Sequence, residues 1–162
     1  MGRIMSLDYG SRTIGVAVTD PMQLIVSPLE TVVRDQENKL RESLRRIVGI
    51  AREQDAELIL LGLPLHMDGR QGERAEKTIE FKHLLERRLE AAGLQLPVVL
   101  WDERLTTAAA DDILSESEIP QEDRKKYIDK IAAALLLEDW LAAKQAGAAR
   151  EEAAEGGLNG RE

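Results

Sequence analysis

The chain has 162 residues, 43% of them hydrophobic, which suits one domain with a complete core. It contains no cysteine, which excludes disulfide bonds and cysteine-based metal sites. The formal net charge of −8 predicts no general affinity for nucleic acid, so any such site must depend on local basic residues and metal ions. No segment resembles a signal peptide, and the longest apolar run, Ile131 to Leu137, is too short to span a membrane, so we expect a cytoplasmic protein.

The first part of the chain predicts three consecutive strands. Ile4 to Tyr9 and Thr13 to Thr19 are apolar runs separated by the turn residues Gly10 to Arg12, so they predict a β-hairpin. A third strand is predicted over Leu24 to Val33. Pro28 interrupts it and favours an edge position or a bend, because proline cannot donate to a sheet hydrogen bond.

Helices and strands alternate in the rest of the chain. The predicted elements are a helix from Glu37 to Glu53, a strand in AELILLGLP, a helix from Ala75 to Ala92, a strand in LPVVLWDE, a helix from Thr106 or Thr107 to about Leu114, and a final helix from Arg124 to Lys144. This order predicts an α/β fold with a mixed sheet, antiparallel in its first three strands and parallel afterwards, with helices on both faces. We expect one domain over residues 1–145 and a disordered acidic tail over 146–162.

Three carboxylates interrupt the apolar pattern. Asp8 lies at the end of the first strand, and Glu103 lies at the end of LPVVLWDE. Asp129 falls on the apolar face of the final helix, because the residues three, four and seven positions later are apolar. Ligands of open α/β sheets bind beyond the carboxyl ends of the strands, where Asp8 and Glu103 would meet. Converging carboxylates repel one another, and a hard divalent ion such as Mg²⁺ or Mn²⁺ would relieve that repulsion and support phosphodiester hydrolysis.

Each carboxylate also has a simpler explanation. Asp8 could form a turn with Gly10, and Glu103 could cap the next helix or pair with Arg104. Asp129 could pair with a neighbouring lysine. The joint placement of the three residues, rather than any one of them, favours a site.

Four motifs in this order resemble the YqgF family of Holliday-junction-resolvase-like proteins, within the RNase H-like superfamily: LDYGSRTIGVAVTD, GLPLHMDGRQGERA, WDERLTTAAADDIL and DKIAAALLLEDWL. The resemblance covers nearly all of Ile4 to Leu141. It implies an RNase H-like fold with a five-stranded mixed sheet, and it implies that the family's acids fall on Asp8, Glu103 and Asp129. Members are described as resolvases or as nucleases that process the 5′ end of pre-16S ribosomal RNA, and the resemblance favours the ribosomal RNA role.

The sequence departs from this resemblance at two positions. His66 stands where an asparagine-like residue is expected. Ala132, three residues after Asp129, stands where many metal nucleases of the superfamily present a fourth acid. A second metal ion would therefore be held weakly, or mainly by the phosphate of the substrate.

The leading hypothesis is a metal-dependent endonuclease in which the three carboxylates hold Mg²⁺ or Mn²⁺. Three arginines are candidate phosphate contacts: Arg12, Arg74 and Arg104. The expected partner is a ribosomal RNA precursor or branched DNA, with the protein as a monomer or weak homodimer, because a junction resolvase would need two sites related by symmetry.

Two other classes of protein stay open. The segment DYGSR also resembles the first phosphate loop of sugar kinases and actin-like ATPases, but those proteins need a second domain and a second glycine-rich loop. A non-catalytic nucleic-acid-binding module of the same fold would suit the net charge of −8, whereas the retention of all three acids disfavours it.

Overall fold

The computed structural model describes residues 2–103 and 121–159, and in the last segment it describes the side chains of 127–147. Within these residues there are five strands and three helices. In chain order they are β1 (Arg3–Tyr9), β2 (Thr13–Thr19), β3 (Val26–Val33), α1 (Arg41–Glu53), β4 (Ala56–Leu63), α2 (Glu73–Ala91), β5 (Val98–Asp102) and α3 (Gln121–Asn159). Among the described helices, we find no hydrophobic segment of the length that a membrane span requires.

The strands form one sheet in the order β3-β2-β1-β4-β5. β2 is antiparallel to both β1 and β3, whereas β1 and β4, and β4 and β5, run parallel. The predicted mixed sheet is therefore confirmed. Because β1, β4 and β5 are parallel neighbours, their carboxyl ends lie along one edge, which we call the carboxyl edge of the sheet.

The edge strand β3 is shorter than predicted. It begins at Val26, because the carboxylate of Asp20 accepts hydrogen bonds from the backbone N–H groups of Leu24 and Ile25 and holds those residues in a turn. Opposite β2, the pairing skips Leu29, which follows Pro28 and forms a bulge. The expectation that Pro28 marks an edge or a bend is confirmed in both senses.

Alternation along β1 separates two hydrophobic layers. Met5, Leu7 and Tyr9 face α1 and α2, where they belong to the main core. Ile4 and Ser6 face α3 on the opposite side, and Asp8 shares their parity. Each aliphatic side chain buried in these layers contributes about 1.5–3 kcal/mol. Helices thus cover both faces of the sheet, and the acid at the end of β1 lies on the α3 side.

Helix α3 approaches the sheet closely enough for its backbone to touch β1 and β2. The hydroxyl of Ser6 donates a hydrogen bond of 2.6 Å to the carbonyl of Ala133. A Cβ atom added at Gly15 in β2 would lie 1.9 Å from the carbonyl oxygen of Asp129. The small residues Ala17, Ala133 and Ala134 fill the rest of this contact. The sequence-based expectation of close approach at these alanines of α3 is confirmed.

The helix boundaries differ from the prediction. Helix α1 begins at Arg41 rather than Glu37, α2 begins at Glu73 rather than Ala75, and α3 runs Gln121–Asn159 rather than from Arg124 to Lys144. The longer α3 continues into the segment 146–159, where the alanine and glutamate residues have high helix propensity and outnumber the three glycines. The division of the chain into a domain at 1–145 and a separate tail stays a prediction. The helix predicted from Thr106 or Thr107 lies outside the described residues.

Candidate active site

The structure brings Asp8 and Glu103 together across the intervening strand β4. Glu103 follows β5, and its N–H continues the sheet pairing by donating to the carbonyl of Leu63 in β4, at 3.2 Å. Its side chain lies over Gly62, where an added Cβ atom would stand 2.2 Å from Glu103 Oε2. Because Gly62 has no side chain, the Glu103 carboxyl reaches Asp8 on β1 and forms a hydrogen bond with it. We refer to Asp8 and Glu103 as the carboxylate pair.

The carboxylate pair shares a proton at neutral pH. Burial, followed by the charge and hydrogen bond of Asp8, raises the pKa of Glu103 to about 9. Burial also raises the pKa of Asp8 to about 6, with the charge of Asp129 adding to the effect, while the hydrogen bond from Glu103 opposes it. The pair therefore retains one proton near neutral pH, in the hydrogen bond between the two carboxyls.

Asp129 lies beside the carboxylate pair on α3. The hydroxyl of Thr13, the first residue of β2, donates a hydrogen bond of 2.5 Å to Asp129 Oδ2. The Asp129 charge is close enough to raise the pKa of Asp8. Within residues 2–103 and the described part of α3, however, no three histidine, cysteine or acidic side chains are grouped tightly enough to bind one ion. The structure thus assembles the pair, with Asp129 adjacent to it and bound by Thr13.

Of the two candidate arginines that the structure describes, Arg12 and Arg74, it is Arg74 that lies near the carboxylate pair. Its positive charge opposes the rise in pKa of both Asp8 and Glu103. Arg74 comes from the first turn of α2 and forms an ion pair with Glu37. Arg12 is exposed in the β1–β2 turn. Arg104 lies outside the described residues.

Arg34 is a site-supporting residue that the sequence analysis missed. It follows β3 and is only 6% exposed, which is unusual for arginine. Its Nη2 donates 2.6 Å to the carbonyl of Gly10, its Nε donates 3.1 Å to the carbonyl of Glu37, and its guanidinium lies 4.9 Å from the centre of the Tyr9 ring. Arg34 therefore fixes the turn after Asp8 to the loop that carries Glu37. An arginine after an edge strand usually lies in solvent, so the sequence offered no local signal.

A family model described as "RuvX: Holliday junction resolvase" matches residues 2–143, almost the whole of the described fold. The chain belongs to the RuvX family. The resemblance to Holliday-junction-resolvase-like proteins that the four motifs indicated is thereby confirmed.

Relatives of this RuvX-family chain align with it along almost their entire length. A protein of Lachnospira eligens named "Putative pre-16S rRNA nuclease" is 45% identical over 88% of this chain and 99% of its own length. A protein of the same name from Agathobacter rectalis is 45% identical over 86% of this chain and 94% of its own length. Among solved structures, Thermus thermophilus RuvC in complex with a Holliday junction substrate is 20% identical, with a TM-score of 0.52 over 84% of this chain and 92% of that one. This last likeness confirms the predicted resolvase-type α/β fold.

The raised pKa values of the carboxylate pair predict a pH-dependent stability for this RuvX-family protein. Between about pH 4, where carboxyls ionise in an unfolded chain, and about pH 9, the folded protein binds more protons than the unfolded chain. Its stability without divalent ions should therefore fall as the pH rises through this window. Thermal unfolding in chelator between pH 5 and 9 measures this, and we expect the melting temperature to fall by several degrees.

Glu103→Gln is the matched variant for this measurement, because it removes the group with the largest rise in pKa. It should flatten the pH dependence. Hydrogen bonds lower the pKa values of acids such as Asp20 and Glu30, and the stability that these acids contribute is lost only as the pH falls through the acidic range, so they do not produce a slope between pH 5 and 9. Equal slopes in the wild type and in Glu103→Gln would contradict the proposed proton sharing.

Proposed function

We propose that this chain is a metal-dependent endonuclease that hydrolyses phosphodiester bonds of structured nucleic acid and acts on the 5′ end of pre-16S ribosomal RNA. The observation that carries the proposal is the contact between Asp8 and Glu103 over Gly62 at the carboxyl edge of the sheet. Two carboxyls buried against each other are costly for folding, because only a shared proton or a cation relieves their repulsion. Such an arrangement is typical of functional sites.

The side chains present fit a hard divalent ion. The carboxylate pair offers only oxygen donors, which Mg²⁺ and Mn²⁺ prefer, and the proton that Glu103 shares with Asp8 stands where a cation could take its place. Asp8 and Glu103 would hold the ion, and Asp129 would be the third ligand on its release from Thr13. A bound ion of this class supplies an activated water and stabilises the developing charge on the phosphate.

The chain's own residues bind and orient the substrate. Arg74 is placed to contact a phosphate beside the carboxylate pair, and its ion pair with Glu37 holds it there in the absence of substrate. Gly62 leaves the space above β4 open for the Glu103 carboxyl. Hydrolysis at this position would leave a 5′-phosphate and a 3′-hydroxyl.

Two substrates have specific support. The names of the relatives that match along almost their entire length favour pre-16S ribosomal RNA. The description of the matching family model favours a Holliday junction as the second candidate. We place the RNA first because those relatives are 45% identical to this chain and the match covers 86–88% of it.

A direct comparison of the two substrates tests the proposal. Purified protein is incubated with a 16S precursor fragment that carries its 5′ extension, and separately with a four-way DNA junction, each in Mg²⁺, Mn²⁺ or chelator. We expect discrete cleavage of the RNA that requires the divalent ion. Symmetric cleavage of the junction alone would favour the resolvase. No cleavage of either substrate, with binding retained, would indicate the non-catalytic module.

A further inference from the structure

A groove of about 510 Å³ opens on the α1–α2 side of the sheet, at the carboxyl end of β1. Its floor is formed by Tyr9 and Phe81, whose rings are stacked with centroids 4.4 Å apart and planes within 9°. Tyr9 directly follows Asp8 in β1, so the groove begins one residue from the proposed catalytic acid. The two features lie on opposite faces of the same strand end.

The groove has apolar walls and a polar rim. Leu40 and Leu84 line its sides, and Leu84 is 38% exposed, which is high for a leucine on a packed helix. At the rim lie Asn38, Lys77 and Glu80. An amide and a carboxylate can hydrogen-bond the N–H edge of a nucleobase, while an ammonium can bind a phosphate. This combination suits a nucleotide better than a purely apolar ligand.

A short cationic path joins the groove to the carboxylate pair. Arg74 and Lys77 stand one turn apart on α2, and both pair with Glu37. The charge of Arg74 acts on Asp8 and Glu103, whereas Lys77 lines the groove. Both side chains would exchange their pairing with Glu37 for a phosphate of the strand, so Arg74 and Lys77 are candidate contacts for two positions along a phosphate backbone.

We propose that this groove binds an unpaired nucleotide of the substrate strand, close to the phosphate that is cleaved. The base lies against Leu40 and Leu84 with its N–H edge toward Asn38 or Glu80, and its phosphate pairs with Lys77. Proteins read single-stranded nucleotides in this way, because an unstacked base exposes both its apolar faces and its polar edge. The inference rests on the proposed function, and it restricts the substrate to strands with a flexible, unpaired position beside the cleavage site.

The test combines abasic substitution with a variant that fills the groove. Single-stranded RNA and DNA oligonucleotides, each with one abasic position moved along the strand, are titrated in Ca²⁺ against the wild-type protein. We expect one position at which base loss weakens binding roughly 10-fold. Leu84→Trp should weaken binding of the intact strand by a similar factor. Removal of the base at that position should not weaken binding to this variant further.

Leu29→Trp is the matched control, because Leu29 is 37% exposed and lies on the edge strand β3 outside the groove. It should bind like the wild type. If base loss has the same effect in Leu84→Trp as in the wild type, or no position shows an effect, the groove proposal is wrong even if the protein cleaves its substrate. If the pattern appears but nothing is cleaved, the groove proposal stands and the nuclease proposal fails. Equal results with RNA and DNA strands would show that the base rather than the sugar is bound.

Discussion

Asp8→Asn is expected to abolish cleavage while making the metal-free protein more stable. Asparagine keeps the size of the side chain but loses the charge that a divalent ion needs, so we expect the cleavage rate to fall by a factor on the order of 10³. The same change removes a buried carboxylate that faces Glu103 and Asp129. The melting temperature in chelator at pH 8 should therefore rise by about 2–4 °C, equivalent to about 1 kcal/mol. Cleavage of a 16S precursor fragment in Mn²⁺ and thermal unfolding measure the two effects.

Loss of cleavage together with a gain in stability would distinguish a functional role of Asp8 from a role in the turn. If Asp8 were only a turn residue before Gly10, its replacement would lower stability and leave any cleavage by the folded protein intact. Asp55→Asn is the matched control, because Asp55 is an exposed aspartate before β4, at the far edge of the sheet, with a φ of 53° that asparagine readily adopts. It should change neither rate nor stability. Unchanged cleavage in Asp8→Asn would refute the site assignment.

The candidate acids could be predicted from sequence because two strong regularities coincide at them. A carboxylate that ends a buried strand is out of pattern, and the carboxyl ends of parallel strands share one edge. Asp8 and Glu103 satisfy both conditions, and the structure brings them together. Asp129 was recognisable from helical spacing alone, and the small residues that follow it indicated the close approach of α3.

The contacts that bring these acids together could not be predicted from the sequence, because they join segments that are distant along the chain. Glycines in the interior of strands are common, and nothing in IGVAV or LILLGLP indicates which neighbour approaches. Only the fold reveals that Gly15 lies under the backbone of Asp129 and that Gly62 lies under the carboxyl of Glu103. Arg34 escaped prediction for the same reason, since its carbonyl partners at Gly10 and Glu37 come from a turn and a loop.

Replacing either of these two glycines by alanine is expected to have a large effect. We expect the two variants to lose function for different reasons. In Gly15→Ala the new Cβ atom meets backbone, 1.9 Å from the carbonyl oxygen of Asp129, so α3 must move away from the sheet. We expect destabilisation of about 3 kcal/mol or more, together with loss of cleavage. In Gly62→Ala the clash is with the end of a side chain, the Glu103 carboxyl at 2.2 Å, which can turn aside. The fold should persist while cleavage is lost, because Glu103 can no longer reach Asp8.

Urea unfolding and cleavage of the precursor fragment by each variant distinguish these outcomes. Gly49→Ala is the control, because Gly49 lies within α1 and an added Cβ atom there has no neighbour within 4 Å. That variant should gain about 0.5–1 kcal/mol from its better helix propensity and keep full activity. Full activity in Gly62→Ala would contradict the need for Glu103 to cross β4. An added methyl group lowers the free energy of unfolding strongly only when the neighbouring atoms cannot move away. If Gly15→Ala and Gly62→Ala were equally destabilised, Gly62 would therefore be needed for packing rather than for the position of Glu103.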